Sequence, residues 1–201
     1  NSECGIPITD EHQSADHLCE QLFPISTFGK RFITTMIQGQ GVYFARVYAA
    51  YDNTTVSLDG TTVATINEGQ FYEFESRNIP KYITTSNPAE VMLFMPSTVY
   101  DYQFSHSFDS DPAMISIPPI EQQITDCIFV SLTDGVITKH KVNVVCKTAD
   151  AGKTKLDGVF VPASSFAVIP GNPLYSFVPL DISAGHHRLE NANGFVAFSN
   201  G

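Results

Sequence analysis

Thr54-Thr55-Val56-Ser57-Leu58-Asp59-Gly60-Thr61-Thr62-Val63-Ala64-Thr65-Ile66 has the pattern of a β-hairpin. Polar and apolar residues alternate on both sides of Asp59-Gly60, as a half-buried strand requires, because successive side chains point to opposite faces. Asp-Gly suits a type I′ turn, in which both central residues need positive φ. The spacing therefore predicts two short antiparallel strands joined by a two-residue loop.

The surrounding chain has the same character. Phe32–Ile37 and Val42–Tyr48 are rich in β-branched and aromatic residues. Asn67-Glu68-Gly69, Ser86-Asn87-Pro88 and Asp109-Ser110-Asp111-Pro112 are turn signals, and between them lie Gln70–Phe74, Ala89–Phe94 and Met114–Ile117. Strands at this spacing, without a sustained helical period, predict an all-β chain of sandwich type. Helix is expected at most as a turn or two near Ala15–Glu20 or Pro118–Gln123. The run Val99–Phe108 sets Tyr100, Tyr102, Phe104, His106 and Phe108 against Asp101, Gln103, Ser105 and Ser107. That alternation predicts one core-facing strand; an exposed aromatic strip for a partner is the alternative.

The hairpin recurs. Leu58-Asp59-Gly60 returns as Leu156-Asp157-Gly158, an offset of 157 − 59 = 98, which also pairs Asp52 with Asp150 and Tyr48 with Cys146. Glu68-Gly69-Gln70-Phe71 is matched to Ala184-Gly185-His186-His187 after an insertion around Ser164–Asp181, and Val91–Phe94 to Phe195–Phe198. A repeat this long is no solenoid and points to duplication of a small β unit. The expected organisation is a segment 1–20 followed by two tandem antiparallel β-sandwich, jelly-roll-like lobes, 21–118 and 119–201, packed as one rigid unit. Pro118-Pro119 marks the junction, since two prolines interrupt any ladder.

Composition narrows the function classes. The chain has 201 residues, 43% hydrophobic and only 16% charged, enough to bury real cores. Eleven Lys and Arg face 21 Asp and Glu, a formal net charge of −10. Such a surface repels phosphate backbones and anionic lipids, so neither nucleic acid nor a membrane is an expected partner. No run approaches 18 apolar residues, so no membrane insertion is expected. The start at Asn1-Ser2-Glu3-Cys4, without initiator Met or apolar leader, reads as part of a larger secreted chain.

Four cysteines, Cys4, Cys19, Cys127 and Cys146, fit a disulfide framework with three connectivities. Cys4–Cys19, which would staple the N-terminal segment, and Cys127–Cys146 are favoured; four reduced, buried thiols are the alternative. No Cys-x-x-Cys spacing suggests zinc. Asn53-Thr54-Thr55 is a single N-glycosylation sequon, placing the acceptor, Asn53, in a turn between strands.

Catalytic patterns are thin. There is no Gly-x-Ser-x-Gly elbow for a serine nucleophile. A cupin-like metal enzyme would draw on His186, His187, Glu190 and Asn191, with His187 and Glu190 as its centre. Adjacent histidines on a regular strand point to opposite faces, however, so one packed inward and one exposed is the simpler reading. Asp109, Asp111 and Glu121 are candidate glycosidase carboxylates, although turn formation explains the first two. A calcium ion at Asp109-Ser110-Asp111 is a further candidate. No cofactor is called for.

In chain order, several of these pieces resemble the N-terminal domain family of the IgGFc-binding protein. They are Phe23–Lys30, Arg46–Ala50, Asn53–Val56 leading into Leu58-Asp59-Gly60, Glu68–Tyr72, Asp111–Met114, Pro118–Gln122, Leu156-Asp157-Gly158 and Gly185-His186-His187. The likeness runs from about Glu20 to Gly201. It departs at Ser110, where the family has Gly before Asp-Pro, and at Glu90 and Met92, where the pattern is more uniformly apolar. The resemblance implies a secreted, non-catalytic adhesion or binding module for a glycoprotein, glycan or matrix partner, and carries over no residue set for antibody recognition. A purely structural spacer within a larger protein is the remaining alternative.

Overall fold

The computed structural model of the protein describes residues 3, 4, 16–35, 41–105, 112–132 and 139–200. The chain divides into two compact units, Asn1–Pro119 and Ile120–Gly201. In the first, β1 (Glu3–Cys4) and β2 (Asp16–His17) form a small ladder of their own. There follow β3 (Gly29–Thr34), β4 (Tyr43–Ala49), β5 (Thr54–Leu58), β6 (Thr61–Ile66), β7 (Phe71–Ser76), β8 (Lys81–Met95), the helix α1 (Thr98–Ser105) and β9 (Ala113–Ile117). The second unit contains β10 (Ile124–Ser131), β11 (His140–Lys147), β12 (Lys155–Leu156), β13 (Val159–Phe160), β14 (Ala167–Val168), β15 (Tyr175–Ile182) and β16 (Gly185–Asn200).

Each lobe is built on one seven-stranded antiparallel sheet, curled into a half-barrel. The first runs β6-β5-β8-β4-β7, with β3 and β9 also on β8. The second runs β13-β12-β16-β11-β15-β14, with β10 on β16. The curl comes from the long strands. β8 skips 85–88 between its partners Arg31 and Gly29, and β16 skips 191–194 between Asp126 and Ile124. Such bulges bend a strand and raise its twist, and Pro88, which has no N–H to donate, falls inside one of them. Each long strand can then pair with the hairpin along its first half and with β4 or β11 along its second.

The expected duplication holds, and the ladders fix its register. Gly29 and Ala49 both pair with Ala89; Ile124 and Cys146 both pair with Phe195. The long strands thus correspond at 195 − 89 = 106, and β4 with β11 at 146 − 49 = 97. Three of the sequence matches are corrected. Cys146 answers Ala49, not Tyr48, because the connection from β11 to the hairpin is one residue longer. Phe71, opposite Tyr48, answers Phe177, opposite Val145, so β7 corresponds to β15 and Gly69 has no counterpart in Gly185. Val91 answers Ala197 rather than Phe195. The extra residues of the second lobe lie between β13 and β15 and include β14, ending before Tyr175 rather than at Asp181.

The hairpin that opened the sequence reading forms as expected. Asp59 and Gly60 take φ of 50° and 83°, and Asp157 and Gly158 take 52° and 80°, the type I′ signature in both lobes. Apolar residues on the concave faces make the cores. Phe32, Ile83, Val56, Val47 and Leu93 are buried in the first lobe. Val142, Val144, Cys146, Val178, Leu189 and Phe195 cluster in the second.

The aromatic run is a correction. Val99–Ser105 belongs to α1 rather than to a strand, and residues 106–110 lie outside the described ones. Pro96-Ser97 supplies the start: the Ser97 carbonyl accepts the Asp101 N–H at 3.0 Å, and its hydroxyl faces the Tyr100 N–H at 3.5 Å. Asp101 is buried, and its Oδ1 accepts the Gly41 and Val42 N–H groups at 2.7 and 3.1 Å, tying the helix to the entrance of β4. Tyr100 packs on Phe44 at 5.7 Å within a small cluster of Phe44, Met92 and Phe94, and donates its hydroxyl to Glu75 at 2.8 Å. Of the two other short helices expected, a 3-10 turn forms at Ile120–Gln122, whereas Asp16–His17 is strand.

Candidate functional site

The side chain of the first turn residue fastens each hairpin to its long strand. In the first lobe Asp59 accepts the Tyr82 N–H at 3.0 Å on Oδ1 and meets Lys81 Nζ at 2.7 Å with Oδ2, while its own N–H reaches the Tyr82 carbonyl at 2.8 Å. In the second, Asp157 accepts the Arg188 N–H at 2.8 Å on Oδ1 and meets His187 Nδ1 at 2.8 Å with Oδ2, and its N–H reaches the Arg188 carbonyl at 2.9 Å. The two clamps are identical apart from the cation. His187 is buried against Phe129 at 5.6 Å, and its Nε2 lies 2.8 Å from the Ser183 carbonyl. The Asp157 carboxylate holds His187 above its ordinary pKa, with burial acting against it, and His187 holds Asp157 below the usual carboxylate range.

The opposite, outward face of this sheet is mixed. Directly paired residues share a face, so Asp126, Glu190, Lys155 and Phe160 stand in one outward row, with Ile128 beside Arg188 and Val130 beside His186. Arg188 makes a two-pronged bond to Asp126 at 2.8 and 2.6 Å, and Lys155 Nζ sits 4.7 Å over the Phe160 ring. That bond lowers the Asp126 pKa and raises that of Arg188. Ile128 is 73% exposed, whereas its first-lobe counterpart, Ile33, is 1% exposed. The face is covered in one copy and bare in the other.

The residues singled out by sequence do not converge. His187 points inward and Glu190 outward, three positions apart, and both His187 ring nitrogens are engaged, so the cupin-like centre is not formed. His186 is exposed beside Val130. Asn191 is buried and spends its amide on the Asp150 carbonyl at 3.1 Å and Thr154 Oγ1 at 2.9 Å. Among the described residues, no group of three or more His, Cys, Asp or Glu could hold a metal ion. Asp109, Ser110 and Asp111 lie outside the described residues. Glu121 sits in the 3-10 turn before β10.

The expected Cys127–Cys146 bridge is corrected, whereas the expected Cys4–Cys19 bridge falls on a side chain, that of Cys4, outside the described ones. Cys19, Cys127 and Cys146 are free thiols. β10 and β11 flank β16 on opposite sides, since Phe195 pairs with Ile124 on one and Cys146 on the other. Two strand spacings are about 9–10 Å, beyond the roughly 7 Å Cα reach of a bridge. Cys127 and Cys146 instead fill core positions held by Phe32 and Ala49 in the first lobe, the behaviour of small apolar residues. Asn53 is exposed in a left-handed turn with φ of 54°, its N–H bonded to Asn67 Oδ1 at 3.1 Å.

Sequence reasoning missed the clamps and the Asp126–Arg188 pair, which join residues 22 to 62 positions apart. A signal was present: in each copy a basic residue follows the turn Asp, Lys81 after Asp59 and His187 after Asp157.

Comparison with solved structures finds only distant likeness. An anti-sigma factor domain-containing protein shares 8% identity over 85% of this chain and 77% of its own, with a TM-score of 0.26. A Streptomyces avermitilis α-L-rhamnosidase shares 10% over 84% of this chain and 24% of its own, with a TM-score of 0.25. A Pleurotus ostreatus lectin shares 10% over 84% and 69%, with a TM-score of 0.22. Scores this low do not amount to a shared fold. No curated protein matches the chain. No helix among the described residues is long and apolar enough to cross a membrane. The sequence model of the IgGFc binding protein family matches residues 1–201, the whole chain, and the protein belongs to that family.

Proposed function

We propose that the protein is a secreted, non-catalytic binding and adhesion module that recognises an extracellular glycoprotein through the outward face of its second lobe. Membership of a binding family over the full length carries this reading. The bare aliphatic pair Ile128 and Val130, the half-exposed Phe160 and the fixed charges of Asp126, Arg188 and Lys155 support the choice of surface. Aromatic and Arg anchors beside apolar area are what interface centres are made of. The buried His187 and Asn191, the polar residues that a metal enzyme would draw on, are spent on the hairpin and on the bulge of β16. Asn53, exposed in a turn of the first lobe, would carry an N-linked glycan.

The test is a screen of the purified protein against immobilised IgG Fc, mucin-type glycoproteins, matrix proteins and a glycan array, repeated with Ile128→Asp. At least one glycoprotein or glycan should bind the parent, and the variant should lose 10-fold or more in affinity, about 1.4 kcal/mol. Binding to none of them favours the spacer reading; binding unchanged by Ile128→Asp places the surface elsewhere.

A further inference from the structure

We propose that the His187–Asp157 contact is a protonation-dependent lock on the β12–β13 hairpin, occupying the place where the first lobe has a lysine–aspartate lock. The geometry favours a charged ring. His187 Nδ1 faces a carboxylate oxygen at 2.8 Å and its Nε2 a backbone carbonyl at 2.8 Å. The two near partners only accept, and the imidazolium alone can donate to both; the Ser183 hydroxyl, at 3.5 Å, is the one donor beside Nε2 among the described residues, and it is too far off to replace the carbonyl bond. Removing one proton leaves an acceptor facing an acceptor, in a site where the ring is 7% exposed.

The ladder that holds the hairpin is short. β12 and β13 are two residues each, and β12 pairs with β16 only at Lys155–Glu190 and Leu156–Leu189. The turn adds Asp157: its N–H and carboxylate make the two bonds to the Arg188 backbone, and His187 fixes that carboxylate. Beyond the turn stand Val159 and Phe160, 71% and 60% exposed. In the first lobe Lys81 takes the place of His187 (187 − 81 = 106, the offset of the long strands), and the β5–β6 hairpin it locks is five and six residues long. A lysine ammonium stays charged throughout the range in which a histidine titrates.

The surroundings leave Asp157 as the charged group, among the described residues, in contact with the ring. From β10 the neighbour is Phe129, uncharged; from the β15–β16 turn it is Ser183, through its carbonyl and, at 3.5 Å, its hydroxyl. Leu156 of β12 and Leu189 of β16 are apolar. Asp126, Arg188, Glu190, Lys155 and His186 stand on the opposite face, the first three paired among themselves. Lys141 of β11 and Asp181 of β15 pair with each other. His187 gains its partner on folding and is held above its ordinary 6.5, so the lock is closed below 6.5 and opens as pH rises through the folded value. Asp157, held below the usual carboxylate range, opens the lock from the acid side only once it protonates.

The test is amide hydrogen exchange on the intact protein from pH 5 to 9, corrected for intrinsic exchange. Protection of residues 155–160 should fall about tenfold, as expected when one charge-assisted bond is lost, with its midpoint above pH 6.5, while residues 57–62 stay level. His187→Lys should abolish the step and keep the protection; Lys81→His should bring a step into the first lobe. A flat profile for residues 155–160, or a step that survives His187→Lys, overturns the lock. Should a variant fail to fold, NMR titration of the His187 ring in the parent decides: a midpoint above 6.5 supports the lock, one below it refutes it. Exchange reads the hairpin itself, so this outcome is independent of whether the outward face binds a glycoprotein.

Discussion

Cys146 offers a sharp quantitative test of how the second lobe is built. It is 0% exposed, in the core beside Leu189 and Phe195, with its sulfur 4.0 Å from Thr154 Oγ1. Burial pushes its thiol up to about 11 from an ordinary 9.0. Only the thiolate attacks an alkylating agent. At pH 8 a thiol with a pKa near 9 is roughly one-tenth ionised, and one near 11 roughly one-thousandth, so ionisation alone slows Cys146 about 100-fold. Exclusion of the reagent adds to that. Iodoacetamide labelling followed by peptide mass spectrometry, without reductant, reads each site separately. Cys19, exposed, should label first; Cys127, with its sulfur 3.7 Å from the Ile128 carbonyl, should be intermediate; native Cys146 should come last and lag its own rate in denaturant by about 100-fold. In denaturant all three should label fully. Linked Cys127–Cys146 peptides, or a native Cys146 as fast as Cys19, would refute this packing.

Further substitutions probe other parts of the fold, each read by urea unfolding. Leu189→Ala empties the centre of the second core, where the side chain is 1% exposed, and should cost about 2–5 kcal/mol. Gly60→Ala and Gly158→Ala meet nothing within 4 Å of the new Cβ, so each should cost only the left-handed backbone strain, about 1–2 kcal/mol and equal in the two lobes. Asp101→Ala leaves the Gly41 and Val42 N–H groups without their acceptor and should cost about 1–3 kcal/mol.

What the sequence revealed was local, and what it hid was register. Asp59-Gly60 and Asp157-Gly158 could be read because a type I′ turn needs those residue types wherever it occurs. They exposed the duplication for the same reason. Gly69 and Gly185 misled: glycine marks a turn without saying which strands the turn joins, and the second lobe spends extra residues between β13 and β15. The one-residue error at Cys146 arose in a connection, where length is least constrained. α1 was hidden by aromatic residues that alternate in sequence, although Pro96-Ser97 with Asp101 four positions on is a helix start. The even cysteine count suggested bridges, yet whether two cysteines meet depends on which strands lie between them, and here β16 does. The clamps needed long-range pairing that no spacing rule shows.

Two copies of one β unit, paired in one register and fastened at the same turn, are the centre of this account. NOESY spectra of the labelled protein test it most directly, through cross-strand contacts at Leu58–Ile83 and Ala49–Ala89 in the first lobe and Leu156–Leu189 and Cys146–Phe195 in the second. All four should be present, with the Tyr82 and Arg188 amides slow to exchange. Contacts shifted by one residue in either lobe would turn that strand's side chains to the wrong face and contradict the account.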